Sequence, residues 1–321
     1  MNRARSATVA VLVALCGAAI VVGLAVGSSG WRGDALSALL RGDDVVAALR
    51  APRVFLSAII GASLGVAGVA MQVVLRNDLA DPYVLGIAGG ASAGAVLSLA
   101  LFPGVPPGPA AAIGGATATS LVRGIARRGP YDPARLLLAG IAVGSVLASV
   151  TGLVLVLAPS ERLLRSATFW LFGGLGTPPM RAIAVPAAVF CAGFGWTWAR
   201  AERLDRLSLG DDVATSLGTD ARALRRGLQL VAVVVTATVV AVGGLIGFVG
   251  LVAPHAARRL VGATHRRLLP VAALLGALVL IAADTVARSA FSPREVPVGL
   301  VTAALGGPLF LWLLRRRPAW R

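Results

Sequence analysis

Residues 53–75 read RVFLSAIIGASLGVAGVAMQVVL, a run of 23 residues whose single charge, Arg53, stands at its first position. About 20 mostly apolar residues cross the hydrocarbon core of a bilayer as a helix, so this stretch predicts a transmembrane span. Working outward from it, similar runs lie near 7–27, 83–102, 109–126, 135–157, 181–199, 227–243, 245–261, 268–287 and 297–314. Composition points the same way. Hydrophobic residues make up 57% of the 321 and charged residues 14%, against about 25% charged in soluble domains. Too few charges remain to coat a globule. The predicted fold class is an all-α integral membrane protein of about ten transmembrane helices, a single domain over 1–321.

All 30 basic residues are arginine, against 14 acidic ones, for a net charge of +16. The absence of lysine excludes a phosphate-loop lysine, a Schiff base and a lysine general base. The arginines fall in short clusters between apolar runs, as the positive-inside rule distributes charge in membranes, and not as a nucleic-acid surface. With the N-terminus inside, 21 of the 30 lie in cytoplasmic segments and nine outside. Ten spans with both termini cytoplasmic follow, since an odd number would put Arg315, Arg316 and Arg317 outside.

Small residues recur four apart, as in Gly61 and Gly65, Gly86, Gly90 and Gly94, Gly140 and Gly144, and Gly243 and Gly247. In lipid such pairs let helix backbones approach closely. Between 227 and 261 the glycines are compatible with a break, a re-entrant turn or tight packing.

Chemistry is sparse. His255 and His265 lack zinc-site spacing, Cys16 and Cys191 sit in apolar runs, and no nucleophile elbow occurs. No catalytic residue, metal or bound cofactor is predicted. Asp284 lies within a span with Arg288 at i+4, which predicts a local ion pair. Gln72, beside Met71, predicts an interhelical hydrogen bond.

The long cytoplasmic segment, about 200–226, is patterned. Ser208 or Gly210 caps a short helix that opens on Asp211 and Asp212, which the helix dipole favours. Gly218 supplies a left-handed stop, and Thr219 or Asp220 caps the next helix. Two short helices joined at Gly218 are expected to form a cytoplasmic shelf.

Three stretches carry a resemblance. Arg50-Ala-Pro-Arg-Val-Phe-Leu, with Gly61-Ala-Ser-Leu-Gly-Val-Ala-Gly-Val-Ala-Met-Gln72 and Arg76-Asn-Asp-Leu-Ala-Asp-Pro-Tyr-Val-Leu-Gly86, forms the first. Gly244-Leu-Ile-Gly-Phe-Val-Gly-Leu-Val-Ala-Pro-His-Ala-Ala-Arg258 is the second, and the closing span from Val296 to Trp312 the third. Together they resemble the FecCD family, the permeases of iron–siderophore, haem and cobalamin ABC importers. Asp78 stands where that pattern has proline, and is expected to cap the following turn.

The resemblance implies a type II ABC importer permease, multi-pass in the cytoplasmic membrane of a bacterium. It implies pairing with a second copy or paralogue, two separate ATPase subunits that hold ATP and Mg, and an external binding protein. It places the ATPase-coupling contact at Ser208, Asp211, Asp212, Leu217 and Gly218, and binding-protein docking at Arg50, Arg53 and Arg294. Met71, Gln72, Gly86 and Ser92 are the candidates for the translocation path. A ferric siderophore is the substrate expected first, with haem or cobalamin as alternatives. An ion-coupled secondary transporter, a reading of another class, wants several acids along one path, and one paired Asp does not supply them.

Overall fold

The structure, a computed structural model, describes residues 2–27, 30–31, 45–126, 131–158, 160–292 and 294–315. Arginines 32, 41, 127, 128, 316, 317 and 321, all used in the orientation count, lie outside them. Each predicted span carries a helix: α1 (Asn2–Ala25), α2 (Ala51–Leu75), α3 (Ile87–Leu101), α4 (Gly108–Ala126) and α5 (Pro133–Val156). α6 (Glu161–Leu171) follows on the outer side, then α7 (Ala184–Trp198), α8 (Ala201–Ser208) and α9 (Asp211–Ser216). α10 (Ala221–Gly243), α11 (Val249–Val261), α12 (His265–Ser289) and α13 (Val298–Arg315) complete the bundle. Among the described residues, six helices are long and apolar enough to cross a membrane by themselves.

α2 is the central pillar. It is apolar on every side, the signature of a helix buried all round, and only Phe55, Ala58 and Ile59 of its 25 residues escape full burial. Its neighbours come close because both sides lack side chains at the crossings. A Cβ on Gly61 would lie 2.2 Å from the Gly276 carbonyl oxygen of α12, and one on Gly65 2.4 Å from that of Ala272. Gly90 meets Gly114 of α4 in the same way. Gly144 and Gly247 have open space instead, so the packing explanation does not extend to them. Gly61→Ala is therefore expected to cost about 1–3 kcal/mol through forced backbone shifts. Gly144→Ala should leave thermal unfolding of the purified protein unchanged or slightly raised.

Three features bear on function, and the first and third depart from the sequence reading. First, the chain does not simply cross between α2 and α3. Arg76 adopts a left-handed conformation (φ 48°) and the chain turns back into the bundle, where Pro82–Leu85 form a 3-10 turn. Pro82 packs on Gly250, which itself sits against Gly68, seven residues before the end of α2. The segment thus climbs about 10 Å back at 1.5 Å per residue of helix. Asn77 makes the Asx turn, its Oδ1 accepting from the Leu79 N–H at 2.9 Å, whereas Asp78 faces Arg258 at 3.7 Å. The cap expected of Asp78 belongs to its neighbour.

Second, the glycines after α10 mark a true break. Residues 244–248 are not helical, and Gly244 and Phe248 both have φ 68°. A Cβ on Gly244 would lie 2.3 Å from the Trp170 carbonyl oxygen. Irregular backbone at membrane depth needs internal partners. Here the Ile246 N–H donates to Tyr83 Oη at 3.3 Å and the Gly244 N–H to Val240 O at 2.9 Å.

Third, the outer segment after α5 contains α6, which the search for spans passed over because it has only 11 residues. Ser160 Oγ accepts from the Leu163 N–H at its start, and Leu163, Ala167 and Trp170 form its buried stripe.

Candidate functional site

Two charge clusters stand at opposite ends of the bundle. The outer one gathers the C-terminus of α1, the N-terminus of α2 and the C-terminus of α12. Asp284 is its centre, with 1% of its surface exposed. Arg53 Nε donates to Asp284 Oδ1 at 2.9 Å, and Arg288 Nε lies 2.9 Å from Oδ2 as an ionic contact. Arg53 also reaches Glu295 Oε2 at 2.7 Å. The last carbonyls of α1, which have no helical donor, are covered by guanidiniums. Arg50 donates to Leu24 O (2.9 Å) and Ala25 O (2.8 Å), and Arg288 to Gly23 O (3.1 Å) and Val26 O (3.2 Å).

The predicted pair Asp284–Arg288 is therefore present, but as part of a larger network. Arg50 and Arg53, expected to face a docking partner, are instead buried to 4% and 3% exposure. A buried charge needs partners, and theirs are internal. Arg294 remains exposed at the outer surface.

The cytoplasmic cluster is built around the arm formed by α8 and α9. Its geometry corrects the two-helix shelf. Gly210, not Ser208, precedes α9, while Ser208 ends α8 with its Oγ donating to Leu204 O at 2.9 Å. Gly218 is left-handed (φ 74°), as expected, and Asp220 Oδ1 caps the next helix by accepting from the Ala223 N–H at 2.9 Å. That next helix is not short. It is α10, which begins at Ala221, six residues before the apolar run.

Asp211 points inward, not toward the cytoplasm. Its Oδ1 accepts from both Arg76, at the end of α2, and Arg225 of α10. The Arg225 guanidinium lies 3.6 Å over the Tyr131 ring, and Tyr131 Oη donates to Val74 O of α2. Burial works against ionisation of Asp211, but the guanidiniums of Arg225 and Arg76 outweigh it and hold the carboxyl below its usual range. A second tie joins α8 to the start of α12: Asp205 Oδ1 accepts from the His265 N–H at 2.9 Å and sits 2.6 Å from Nδ1. Burial again opposes ionisation, and the His265 contacts again win, lowering the Asp205 pKa. Arg206 closes the arm by donating to Leu217 O at 3.1 Å.

A cleft of about 570 Å3 opens between the arm, the end of α2 and the α11–α12 junction. Gln72 lines it, accepting at Oε1 from Arg258 of α11 and donating to Ala80 O at 3.4 Å, which is the interhelical role expected of it. The other path candidates do not line this cleft. Met71 is fully buried, Ser92 Oγ donates to Ala88 O at 2.8 Å, and Gly86 (φ 77°) joins the 3-10 turn to α3. The outward tip of the arm presents Leu209 (68% exposed), Val213 (42%) and Leu217 (50%) beside exposed Asp212.

The ties from Arg76, Arg225, Tyr131, Asp205 and His265 escaped sequence reading. Each joins residues 14 to 135 positions apart, and a lone sequence pairs residues only at helical spacing. The visible signal was charge at helix ends.

The FecCD transport family matches residues 11–316. The cobalamin import permease BtuC of Halobacterium salinarum is 42% identical over 85% of this chain and 74% of its own length. The hemin transport permease HmuU of Yersinia pestis is 40% identical over 84% of this chain and 82% of its own. A solved chain assigned to the metal-chelate type of ABC transporter, in an inward-facing conformation, superposes with a TM-score of 0.86 at 28% identity. That match covers 98% of this chain and all of the other. With ten helices in the predicted order and an arm on the cytoplasmic side, the chain belongs to the FecCD transport family, as a multi-pass permease of the cytoplasmic membrane.

Proposed function

We propose that this permease moves a metal chelate inward, a ferric siderophore, as half of a paired channel served by two separate ATPase subunits and an external binding protein. The observation that carries the reading is the arm. Its tip is apolar and exposed at Leu209, Val213 and Leu217, while its root is tied by Asp211 to the central helix. An apolar patch rimmed by polar residues is a surface for a partner, and the ion pairs carry that partner's movement to α2. Asp212, Leu217 and Gly218 belong to the contact, whereas Asp211 transmits it. ATP and Mg belong to the partner subunits, because a chain without lysine has no phosphate-loop lysine.

On the outer face Arg294 takes the docking role. An exposed cation there steers and orients an acidic partner more than it adds affinity. Arg50 and Arg53 act behind it as the frame that holds the α1–α2–α12 corner.

The substrate is tested by uptake. A strain lacking this gene, grown under iron limitation, is given labelled ferric siderophore, haem or cobalamin in turn. Uptake of ferric siderophore is expected to fall to background and to return when the gene is restored. Loss of haem or cobalamin uptake instead would reassign the substrate within the same class. Unchanged uptake of all three would overturn the importer reading for these ligands.

A further inference from the structure

At the cytoplasmic end of α7, where α8 begins and α12 starts beside it, a cavity of about 350 Å3 is lined by Trp198, Arg200, Glu202, Arg203, Arg206 and Arg266. Four guanidiniums thus face one carboxylate, and that carboxylate sits 3.5 Å from Arg266. Arg200 and Arg266 are held in place by neighbours that leave most of their donors over. Arg200 lies 4.1 Å over the Trp196 ring and gives one N–H to Trp196 O at 3.1 Å. Arg266 lies 5.2 Å from the Trp198 ring, whose Nε1–H donates to Arg266 O at 3.1 Å. Each guanidinium has five N–H donors in a fork that matches phosphate oxygens.

The position selects the anion. α7 is apolar and exposes Val185, Ala188, Cys191, Ala192 and Gly195 along its length. Acyl chains have a surface to lie on there, and the cavity begins where that surface ends. Tryptophans at a span's end sit at headgroup level, and basic pockets between helices on the cytoplasmic side hold anionic headgroups.

We propose that this cavity binds the phosphate-bearing headgroup of an anionic phospholipid of the inner leaflet, with its acyl chains along α7. The lipid would clamp the first helix of the arm, since Arg200 precedes α8 and Arg203 and Arg206 lie within it. The inference is independent of which chelate is carried.

The test is native mass spectrometry of the full-length chain in neutral detergent, titrated with phosphatidylglycerol or phosphatidylcholine. Phosphatidylglycerol is expected to bind at about tenfold lower concentration. Replacing Arg200, Arg203 and Arg266 together by Gln should weaken its binding on the order of tenfold and leave phosphatidylcholine binding unchanged. The matched Lys variant, which keeps the charge, should retain most of the preference and so separates charge from folding. Arg162→Gln with Arg165→Gln on the outer helix should bind as the parent does. Equal binding of both lipids, or undiminished phosphatidylglycerol binding by the Gln variant, would overturn the proposal. So would displacement of the lipid by millimolar inorganic phosphate, which would mark a site for the free anion.

Discussion

Asp284→Ala is expected to destabilise the permease by about 3–5 kcal/mol, the cost of stripping a buried charge of its partner. In the native protein Asp284 stands between Arg53 and Arg288, whose side chains are 4% and 5% exposed. Without it two buried guanidiniums face each other, and among the described residues Glu295 alone pairs with one of them. Neither can turn outward freely, because Arg288 also holds the last turn of α1. The measurement is the thermal unfolding midpoint in detergent, together with the folded yield from membranes. Arg165→Ala is the contrast, since its pair with Glu161 is exposed on both sides and such pairs contribute little. If Asp284→Ala unfolded within a degree or two of the parent, the outer cluster would not be what holds the α1–α2–α12 corner.

The second large effect concerns movement. Asp211→Asn keeps the shape of the side chain but removes the charge that draws Arg76 and Arg225 together. In proteoliposomes with the partner subunits, uptake is expected to fall tenfold or more while ATP hydrolysis continues. A change that lowered both equally would point to lost assembly instead, and undiminished uptake would remove Asp211 from the linkage. Exchanging the charges, Asp211→Arg with Arg225→Asp, should recover part of the uptake if the pair itself transmits. The pH behaviour follows from the sign of the shift. A carboxyl whose folded pKa is lowered stabilises the arm above its ordinary value near 3.9 and loses that contribution as pH falls through the folded value. Uptake between pH 5 and 8 should therefore show no step from this group.

Much of the architecture was legible because hydrocarbon imposes a one-dimensional rule. Length and apolarity found ten stretches that each carry a helix, and the arginine bias oriented them. The rule weakened where burial in protein replaced burial in lipid. α6 is an amphipathic helix too short to span. α11 has 13 residues, and the backbone before it is satisfied by Tyr83, 163 residues away. Local chemistry in the arm was also readable: Gly218 had to be left-handed, and Asp220 was one of two predicted caps. The direction of Asp211 was not readable, since helix-dipole preference accepts an acid there whichever way it points.

The candidate site divides along the same line. By itself the sequence determined the class of molecule, its orientation, the place of the arm and the pair Asp284–Arg288, because each depends on composition or on spacing within one helix. The tertiary structure decided which charges are structural and which face a partner. Arg53 and Arg294 look alike in sequence, both basic and both at a span's outer end. One is buried against Asp284, 231 residues away, and the other is exposed. Burial and long-range pairing arise only when helices distant in the chain are brought together, and they determine whether a guanidinium holds the fold or remains exposed to a partner.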